Sequence, residues 1–176
     1  FPGRDNGRDK VVVNKGGAGY YSLIPSSLFT RTGIVARVGN DFDMSTLKST
    51  NVDLAGLKRI MTSPTTKFHH SYISDDGQTR TFRPEIYEET LIRPEDFPEE
   101  YFDAEYIHIA TNFPNMQKKF IDMIRKKSKA IISIDTHEAY MEQESEFIKR
   151  IFDSVDIAFI DKEYTNLLDC KAPVKI

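Results

Sequence analysis

Apolar and polar positions follow their most regular pattern in the C-terminal part of the chain, from residue 101 onward. Short apolar runs alternate there with segments whose apolar residues recur at helical spacing. The pattern predicts strands at 106–110, 130–135 and 157–161, helices at 115–127 and 144–152, and the start of a further helix at 162–168. This alternation predicts an α/β fold, in which a doubly wound, mostly parallel sheet carries helices between its strands.

The N-terminal part has a less regular pattern. A β-branched run predicts a strand at 10–14, and the glycine-bearing stretch 15–21 follows it. Helical spacing then predicts a helix at 21–31, in which Pro25 marks a kink or the first turn. The predicted buried face of this helix consists of Leu23, Ile24, Leu28 and Phe29. A strand is predicted at 33–39 and a short helix at 44–50.

The middle of the chain alternates apolar and polar side chains over three strand-like segments. These segments are 57–61, 66–74 and 78–83, and the polar cluster 74–77 predicts a hairpin turn between the last two. Such alternation is typical of an antiparallel sheet with one solvated face. His69 and His70 would then point to opposite faces. The acidic, proline-bearing stretch 84–100 is predicted to be a surface connection. The length of the chain predicts a single domain over residues 1–176.

Polar residues follow the predicted strands at one edge of the sheet. Ligands of doubly wound sheets bind beyond the carboxyl ends of the strands. The residues placed there are Asn40, Asp41, Asn112, Asp135, His137 and Asp161. Gly16 and Gly17 lie between a predicted strand and a helix, where bare backbone can approach a ligand closely. The same residues could instead serve as helix caps and tight turns, so both interpretations stay open.

Composition narrows the class of protein. A formal net charge of −3 provides no basic surface for nucleic acid. Cys170 is the single cysteine, which excludes an internal disulfide and fits a reducing, cytoplasmic compartment. No apolar run approaches the roughly 20 residues of a membrane span. The N-terminus lacks both Met and a signal peptide, so we expect a piece of a longer protein.

The order of several short motifs resembles the PfkB/ribokinase family of carbohydrate kinases. The motifs, in chain order, are Gly16-Gly17, Val38-Gly39-Asn40-Asp41, Asn51-Val52-Asp53, Pro64-Thr65-Thr66, Asp76-Gly77-Gln78-Thr79-Arg80, the strand ending at Asp135, and Phe159-Ile160-Asp161-Lys162-Glu163. The resemblance extends over nearly the whole chain. It implies an incomplete ribokinase-like fold, with a small β-sheet lid formed by strands at about 10–14 and 57–83.

The resemblance also implies an activity, namely transfer of a phosphoryl group from ATP, with Mg²⁺, to a hydroxyl of a sugar, polyol or nucleoside. Gly16 and Gly17 would line the acceptor site together with Tyr21 and Asn112. Asp135, Asp161 and Glu163 would face the nucleotide phosphates and the metal, and Asp161 would be the metal ligand. In some members the lid also forms a dimer interface, so a homodimer through the lid is a further expectation.

The sequence departs from the family pattern at three points. Tyr21 stands where the family often has Asn, and Tyr164 stands where a Glu accompanies magnesium. The family's Gly-Ala-Gly-Asp, which carries the catalytic base, is absent; Gly17-Ala18-Gly19 is followed by Tyr20. We therefore expect no catalytic residue in this chain and no turnover by the chain alone. Two alternatives remain: a non-catalytic kinase-like ligand-binding protein, and a Rossmann-type NAD(P) oxidoreductase, whose Gly-x-Gly-x-x-Gly fingerprint fails at Ser22.

Overall fold

Short strands and helices alternate along residues 12–48, 50–72 and 80–160, which are the residues that the computed structural model describes. The helices are α1 (Ala18–Ser26), α2 (Ser45–Lys48), α3 (Pro114–Lys127), α4 (Glu138–Gln143) and α5 (Ser145–Phe152). The strands are β1 (Thr32–Gly33), β2 (Ala36–Gly39), β3 (Val52–Asp53), β4 (Leu57–Ile60), β5 (Lys67–Tyr72), β6 (Arg80–Glu85), β7 (Tyr106–Ile109), β8 (Ile131–Asp135) and β9 (Ile157–Phe159). No helix in these ranges is long and apolar enough to cross a membrane.

The C-terminal part forms the predicted βα repeat. Strands β7, β8 and β9 lie side by side in that order and all pair parallel. Helices α3 and α5 contact one another, and their apolar faces close one core with the inner face of the sheet. The fully buried isoleucines of this core are Ile121, Ile124, Ile132, Ile134, Ile148 and Ile151. The parallel α/β prediction is confirmed for this part, and α4 is an additional helix that the pattern did not predict.

The predicted strand at 33–39 is two strands with different partners. Strand β1 pairs parallel with β3, and β2 pairs parallel with β4. The switch occurs at Ile34 and Val35, where Ile34 N donates to Asp53 O at 3.2 Å and Ala36 N donates to Gly56 O at 3.1 Å. The prediction that 57–61 joins the antiparallel sheet is therefore wrong, because alternation identifies a strand but not its partner.

Two N-terminal predictions are also wrong. Within the strand predicted at 10–14, residues 12–14 form no strand and Val13 is 88% exposed, while residues 10 and 11 lie outside the described residues. Helix α1 begins at Ala18, directly after the glycines, so Pro25 falls in its last turn rather than its first. The helix ends at Ser26, one residue after the proline, where Leu28 N donates to Pro25 O at 3.1 Å in a tighter turn. Leu28 and Phe29 consequently lie beyond its end and are exposed.

The lid strands β5 and β6 form an antiparallel hairpin, as predicted. The register pairs Lys67 with Glu85 at one end of the hairpin and His70 with Phe82 near its middle. The predicted turn at 74–77 lies outside the described residues. The following connection is more ordered than expected, because it contains three short 3₁₀ helices. These are Glu88–Thr90, Pro94–Asp96 and Glu99–Asp103.

Candidate functional site

The glycine stretch forms the N-terminal end of α1. Gly17 is the residue preceding the helix and has a φ of 90°, a conformation that favours glycine. The Tyr21 ring lies over Gly16, where an added Cβ would be 3.3 Å from the phenolic oxygen. Lys15 connects this stretch to the start of α2, because its Nζ donates to Asp43 at 2.6 Å and to Thr46 at 2.7 Å. Two predicted acceptor-site residues, Gly16 and Tyr21, are thus in contact.

Gly39 and Asp41 fasten the end of β2 to the loop that leads into the lid. A Cβ at Gly39 would lie 2.1 Å from the carbonyl carbon of Pro64, so only glycine fits there. Gly39 N donates to Thr65 Oγ1 at 2.9 Å, and Thr65 N donates to the Asp41 carboxylate at 2.7 Å. The Val-Gly-Asn-Asp motif therefore acts here as an attachment point for the loop.

Asp41 also forms an ion pair with the lid. Lys67 Nζ, at the start of β5, lies 2.9 Å from Asp41 Oδ2. The ammonium group of Lys67 and the amide and hydroxyl of Thr65 together hold the pKa of Asp41 well below its usual range. The sequence placed Asp41 at this edge of the sheet, but nothing in the sequence indicated Lys67 as its partner.

The two faces of the lid hairpin carry different chemistry. His70 lies 5.2 Å from the ring of Phe82, centroid to centroid, and Phe82 stacks on Phe68 at 5.5 Å. On the other face, His69 Nε2 lies 2.9 Å from a Glu85 carboxylate oxygen. The two histidines therefore do face opposite ways, because side chains alternate along a strand.

The aromatic face of the lid meets the edge of the sheet after β8. Phe82 stacks on His137 at 5.7 Å between centroids, with an angle of 29° between the rings. His137 is held as the N-cap of α4, since Ala139 N donates to its Nδ1 at 3.2 Å. Through Lys67 and Phe82, the lid is thus attached both to Asp41 and to the loop that follows Asp135.

Asp135 is the last residue of β8, and Asn112 follows the neighbouring strand β7. Thr111 Oγ1 donates to the Asp135 carboxylate at 2.9 Å. The Asn112 side-chain oxygen accepts from the amide of Phe113 at 2.7 Å, at the start of α3. Asp135 therefore lies beside Thr111, the residue before Asn112, at the edge of the sheet where ligands are predicted to bind. Asp161 and Glu163 lie outside the described residues.

A magnesium site is not assembled from the residues described. Within ranges 12–48, 50–72 and 80–160, no group of three or more His, Cys, Asp or Glu side chains is placed to hold a metal ion. Asp135 is a lone carboxylate that already accepts a hydrogen bond from Thr111. The predicted metal ligand, Asp161, lies outside the described residues, so the Mg²⁺ site expected from the sequence stays a prediction.

Two polar contacts, one buried and one half-buried, join the strands before the lid to the connection that follows it. The Arg37 guanidinium donates to both Asp96 carboxylate oxygens, at 2.6 and 2.9 Å, and the two side chains are 12% and 5% exposed. The Tyr101 hydroxyl donates to the Asp53 carboxylate at 2.9 Å, so the Asp of the Asn51-Val52-Asp53 motif has a side-chain partner in the connection after the lid. Burial, followed by this bond to Asp53, raises the pKa of Tyr101 to about 12.

Comparison with solved structures identifies the architecture. The chain is similar to a nucleoside kinase of Methanocaldococcus jannaschii, described as an archaeal member of the ribokinase family, with a TM-score of 0.65 and 18% identity over 97% of this chain and 59% of that one. The chain has the ribokinase fold. Fructokinases from Xylella fastidiosa and Vibrio cholerae O395 match with TM-scores of 0.70 and 0.69, both at 18% identity, over 90% and 95% of this chain.

The ribokinase fold is present only in part. The chain spans 59%, 57% and 62% of the lengths of these three structures. No protein-family model matches the sequence, and no curated protein matches it. At this level of identity the likeness establishes the fold alone, so activity and substrate are matters for proposal.

Proposed function

We propose that this chain forms the acceptor-binding part of an ATP-dependent kinase that phosphorylates a hydroxyl group of a sugar, polyol or nucleoside. The observation that carries the proposal is the attachment of the lid to the ligand-binding edge at two points. Lys67 pairs with Asp41 at 2.9 Å, and Phe82 stacks on His137 at 5.7 Å. A hairpin held over the carboxyl ends of parallel strands can cover a small hydroxylated ligand and exclude water from it.

The acceptor would lie against the glycine stretch in this proposal. The backbone at Gly16 and Gly17 can approach hydroxyl groups that a side chain would block. Tyr21 would form one wall, since its side chain is 64% exposed and lies over Gly16. Asn112 would contribute polar contacts from the end of β7. The ring of Tyr21 occupies more space than Asn would, which favours an acceptor that differs from a simple ribose.

ATP would be the phosphoryl donor, with Mg²⁺ as its cofactor. We propose Asp135, Asp161 and Glu163 as the residues nearest the phosphates, with Asp161 as the metal ligand. The sequence contains no Gly-Ala-Gly-Asp, so no residue of this chain is proposed as the catalytic base. We therefore expect the 176-residue polypeptide to bind acceptor without phosphorylating it.

Phosphoryl transfer by the complete gene product tests the proposal directly. The protein would be incubated with ATP, Mg²⁺ and a panel of fructose, ribose, myo-inositol and adenosine, and ³¹P NMR would follow product formation. We expect one acceptor to be phosphorylated by the complete product and none by the 176-residue polypeptide. Binding of NAD in the absence of ATP binding would instead support an oxidoreductase and defeat the kinase proposal.

A matched pair of lysine variants tests the contact on which the proposal rests. Lys67→Met keeps an unbranched side chain one atom shorter but removes the ion pair with Asp41, so the acceptor KM should rise severalfold while the fold is retained. Lys58→Met, on the exposed side of β4, is the control and should leave KM unchanged. Equal KM values for both variants would show that the lid attachment does not contribute to acceptor binding.

A non-catalytic ligand-binding protein is the second candidate, and the contact between Tyr21 and Gly16 favours it. The ring covers backbone that an acceptor would otherwise reach, with its phenolic oxygen 3.3 Å from the position of an added Cβ. Acceptor binding by the complete gene product without any turnover would support this candidate. A homodimer through the lid remains part of either proposal, and sedimentation of the protein would test it.

A further inference from the structure

Six aromatic side chains form a continuous row, the aromatic row, from the lid to the start of α3. Its members are Phe68, His70, Phe82, His137, Tyr140 and Phe113. Beyond the stacking of Phe82 on His137, the ring of His137 meets Tyr140 at 6.3 Å between centroids, in an edge-on arrangement. Tyr140 in turn lies 6.2 Å from Phe113. Aromatic rings attract one another at about 4.5–7 Å, so the row is one connected surface.

The aromatic row lies at the edge of the sheet where the acceptor is proposed to bind. Its lid part is the face of the hairpin that meets His137, the N-cap residue of α4. Its other end is Phe113, whose amide donates to the side-chain oxygen of Asn112 at 2.7 Å. The row therefore runs from the lid to a predicted acceptor-site residue.

The lid rings of the row are apolar but only partly covered. Phe68 is 48% exposed and Phe82 is 45% exposed, whereas Phe120 in the core is 6% exposed. The planes of Phe68 and Phe82 differ by only 15°, so the two rings present nearly parallel surfaces. Connected apolar surface that stays exposed commonly marks a binding site. The shape of this surface suits a flat ligand.

The chemistry of the row distinguishes between the proposed acceptors. Sugars and polyols carry hydroxyl groups all round, and a hydroxyl buried against a ring without a hydrogen-bonding partner costs free energy. The heterocycle of a nucleoside has a π-face, and such faces stack favourably on aromatic side chains. A row of aromatic rings beside the acceptor site therefore favours an acceptor that carries a planar ring.

We propose that the aromatic row binds the planar ring of the acceptor, and that the acceptor is accordingly a nucleoside rather than a free sugar or polyol. Phe68 and Phe82 stack on the heterocycle from the lid, and His137 holds Phe82 at the edge of the sheet. This inference rests on the proposed kinase function for the fate of the nucleoside, whereas binding of the ring requires no catalysis.

Calorimetric titration of the complete gene product tests the preference for a ring. Adenosine and uridine represent the nucleosides, and ribose and myo-inositol represent acceptors without a planar ring. We expect at least one nucleoside to bind at least tenfold more tightly than ribose and myo-inositol. Binding of ribose or myo-inositol as tightly as the better nucleoside would overturn the inference.

Substitution of Phe82 tests whether the row provides the preference. Phe82→Leu removes the ring but keeps an apolar side chain, so the affinity for the better nucleoside should fall about tenfold. Phe82→Tyr keeps the ring and should bind like the unmodified protein. Phe29→Leu is the matched control, because Phe29 is 87% exposed and lies beyond the end of α1 that is remote from the glycines. Equal nucleoside affinities for Phe82→Leu and Phe82→Tyr would contradict the stacking.

A second copy of the chain is the competing occupant of the exposed rings, since a homodimer through the lid is also expected. Sedimentation of the unmodified protein and of Phe82→Leu distinguishes the two. If Phe82→Leu dissociates a dimer and leaves the nucleoside affinity unchanged, the row is an interface between copies and the inference fails. A tenfold loss of nucleoside affinity with an unchanged oligomeric state would support the ligand.

The ³¹P NMR assay of the same panel, with fructose added, separates this inference from the kinase proposal. Phosphorylation of fructose or myo-inositol without nucleoside binding would retain the kinase and overturn the role of the row. Nucleoside binding that depends on the Phe82 ring, without phosphorylation, would retain the row and defeat the kinase. Absence of binding by every compound would defeat both.

Discussion

The βα repeat at 106–160 and the segment at 16–103 are held together by different interactions. In the repeat, one continuous core of isoleucines, together with Phe120 and Met141, joins the sheet to α3, α4 and α5. In the earlier segment Phe102 belongs to that core, whereas the buried apolar residues Leu23, Val38 and Leu47 lie outside it. Besides the backbone pairing of its strands, the earlier segment is held together by ion pairs, side-chain-to-backbone hydrogen bonds and close contacts at glycines.

Because of this difference, the βα repeat supports the rest of the molecule, whereas the earlier segment contains the contacts that hold individual loops in place. Hydrophobic packing is non-directional, so the repeat can form a firm support from any well-fitting apolar residues. Hydrogen bonds and ion pairs require defined geometry, so they set the position of individual loops. The lid and the glycine stretch depend on the second kind of contact, and most candidate acceptor residues lie there.

Among the substitutions that test this difference, Asp96→Ala should cause the largest loss of stability. Asp96→Ala leaves Arg37 buried without its partner, which we expect to lower the free energy of unfolding by about 3–5 kcal/mol. Ile148→Val, in the core of the repeat, is the comparison variant and should cost about 0.5–1.5 kcal/mol. Urea denaturation measures both values. A smaller loss for Asp96→Ala than for Ile148→Val would mean that packing, not polar contacts, holds the earlier segment.

Gly39→Ala should have the next largest effect. The new methyl group would lie 2.1 Å from the carbonyl carbon of Pro64, so the loop before the lid must move, at a cost of about 3 kcal/mol. Gly19→Ala is the matched control, because no atom lies within 4 Å of the added carbon and the residue is helical. The control should stabilise the protein by about 0.5–1 kcal/mol. Thermal denaturation should therefore show a lower Tm for Gly39→Ala and a higher Tm for Gly19→Ala. A change of Tm in the same direction for both variants would contradict the close contact at Gly39.

Tyr101→Phe should have the smallest effect and a distinct pH dependence. Loss of the hydrogen bond to Asp53 should cost about 1–2 kcal/mol near pH 7. The pKa of Tyr101 is raised from 10.0 to about 12, so its stabilising contribution is complete below pH 10 and is lost as the pH rises towards 12.

The difference in unfolding free energy between Tyr101→Phe and the unmodified protein should therefore shrink between pH 10 and pH 12. Urea denaturation at a series of pH values measures this difference. Other tyrosines and lysines titrate in both proteins and cancel in the comparison. A difference that stays constant over this range would contradict the assigned hydrogen bond.

The sequence predicted the repeat far better than the segment before it. In the repeat, the helices predicted at 115–127 and 144–152 correspond to α3 and α5, and Phe120, Ile124, Ile148 and Ile151 on them are buried. In the earlier segment, the same reasoning placed Leu28 and Phe29 on a buried helix face, yet both are exposed. Periodicity reports burial only where hydrophobic packing forms the structure, and polar contacts between distant residues leave no periodic signal.

The sequence by itself determined the α/β class, the order of the elements in the repeat, the lid hairpin and the polar edge of the sheet. These properties follow from local spacing and from the residues at strand ends, so they can be read along the chain. The family resemblance, read from motif order, agrees with the fold that comparison identified.

Only the tertiary structure decided which residues meet. The decisive contacts join residues that are distant in sequence. They are the different partners of β1 and β2, the ion pair of Lys67 with Asp41, the stacking of Phe82 on His137, and the hydrogen bond from Gln117 to Asp135. Such contacts depend on strand register and on the close approach of backbones at Gly39. Both arise from the packing of the whole chain, which local spacing does not encode.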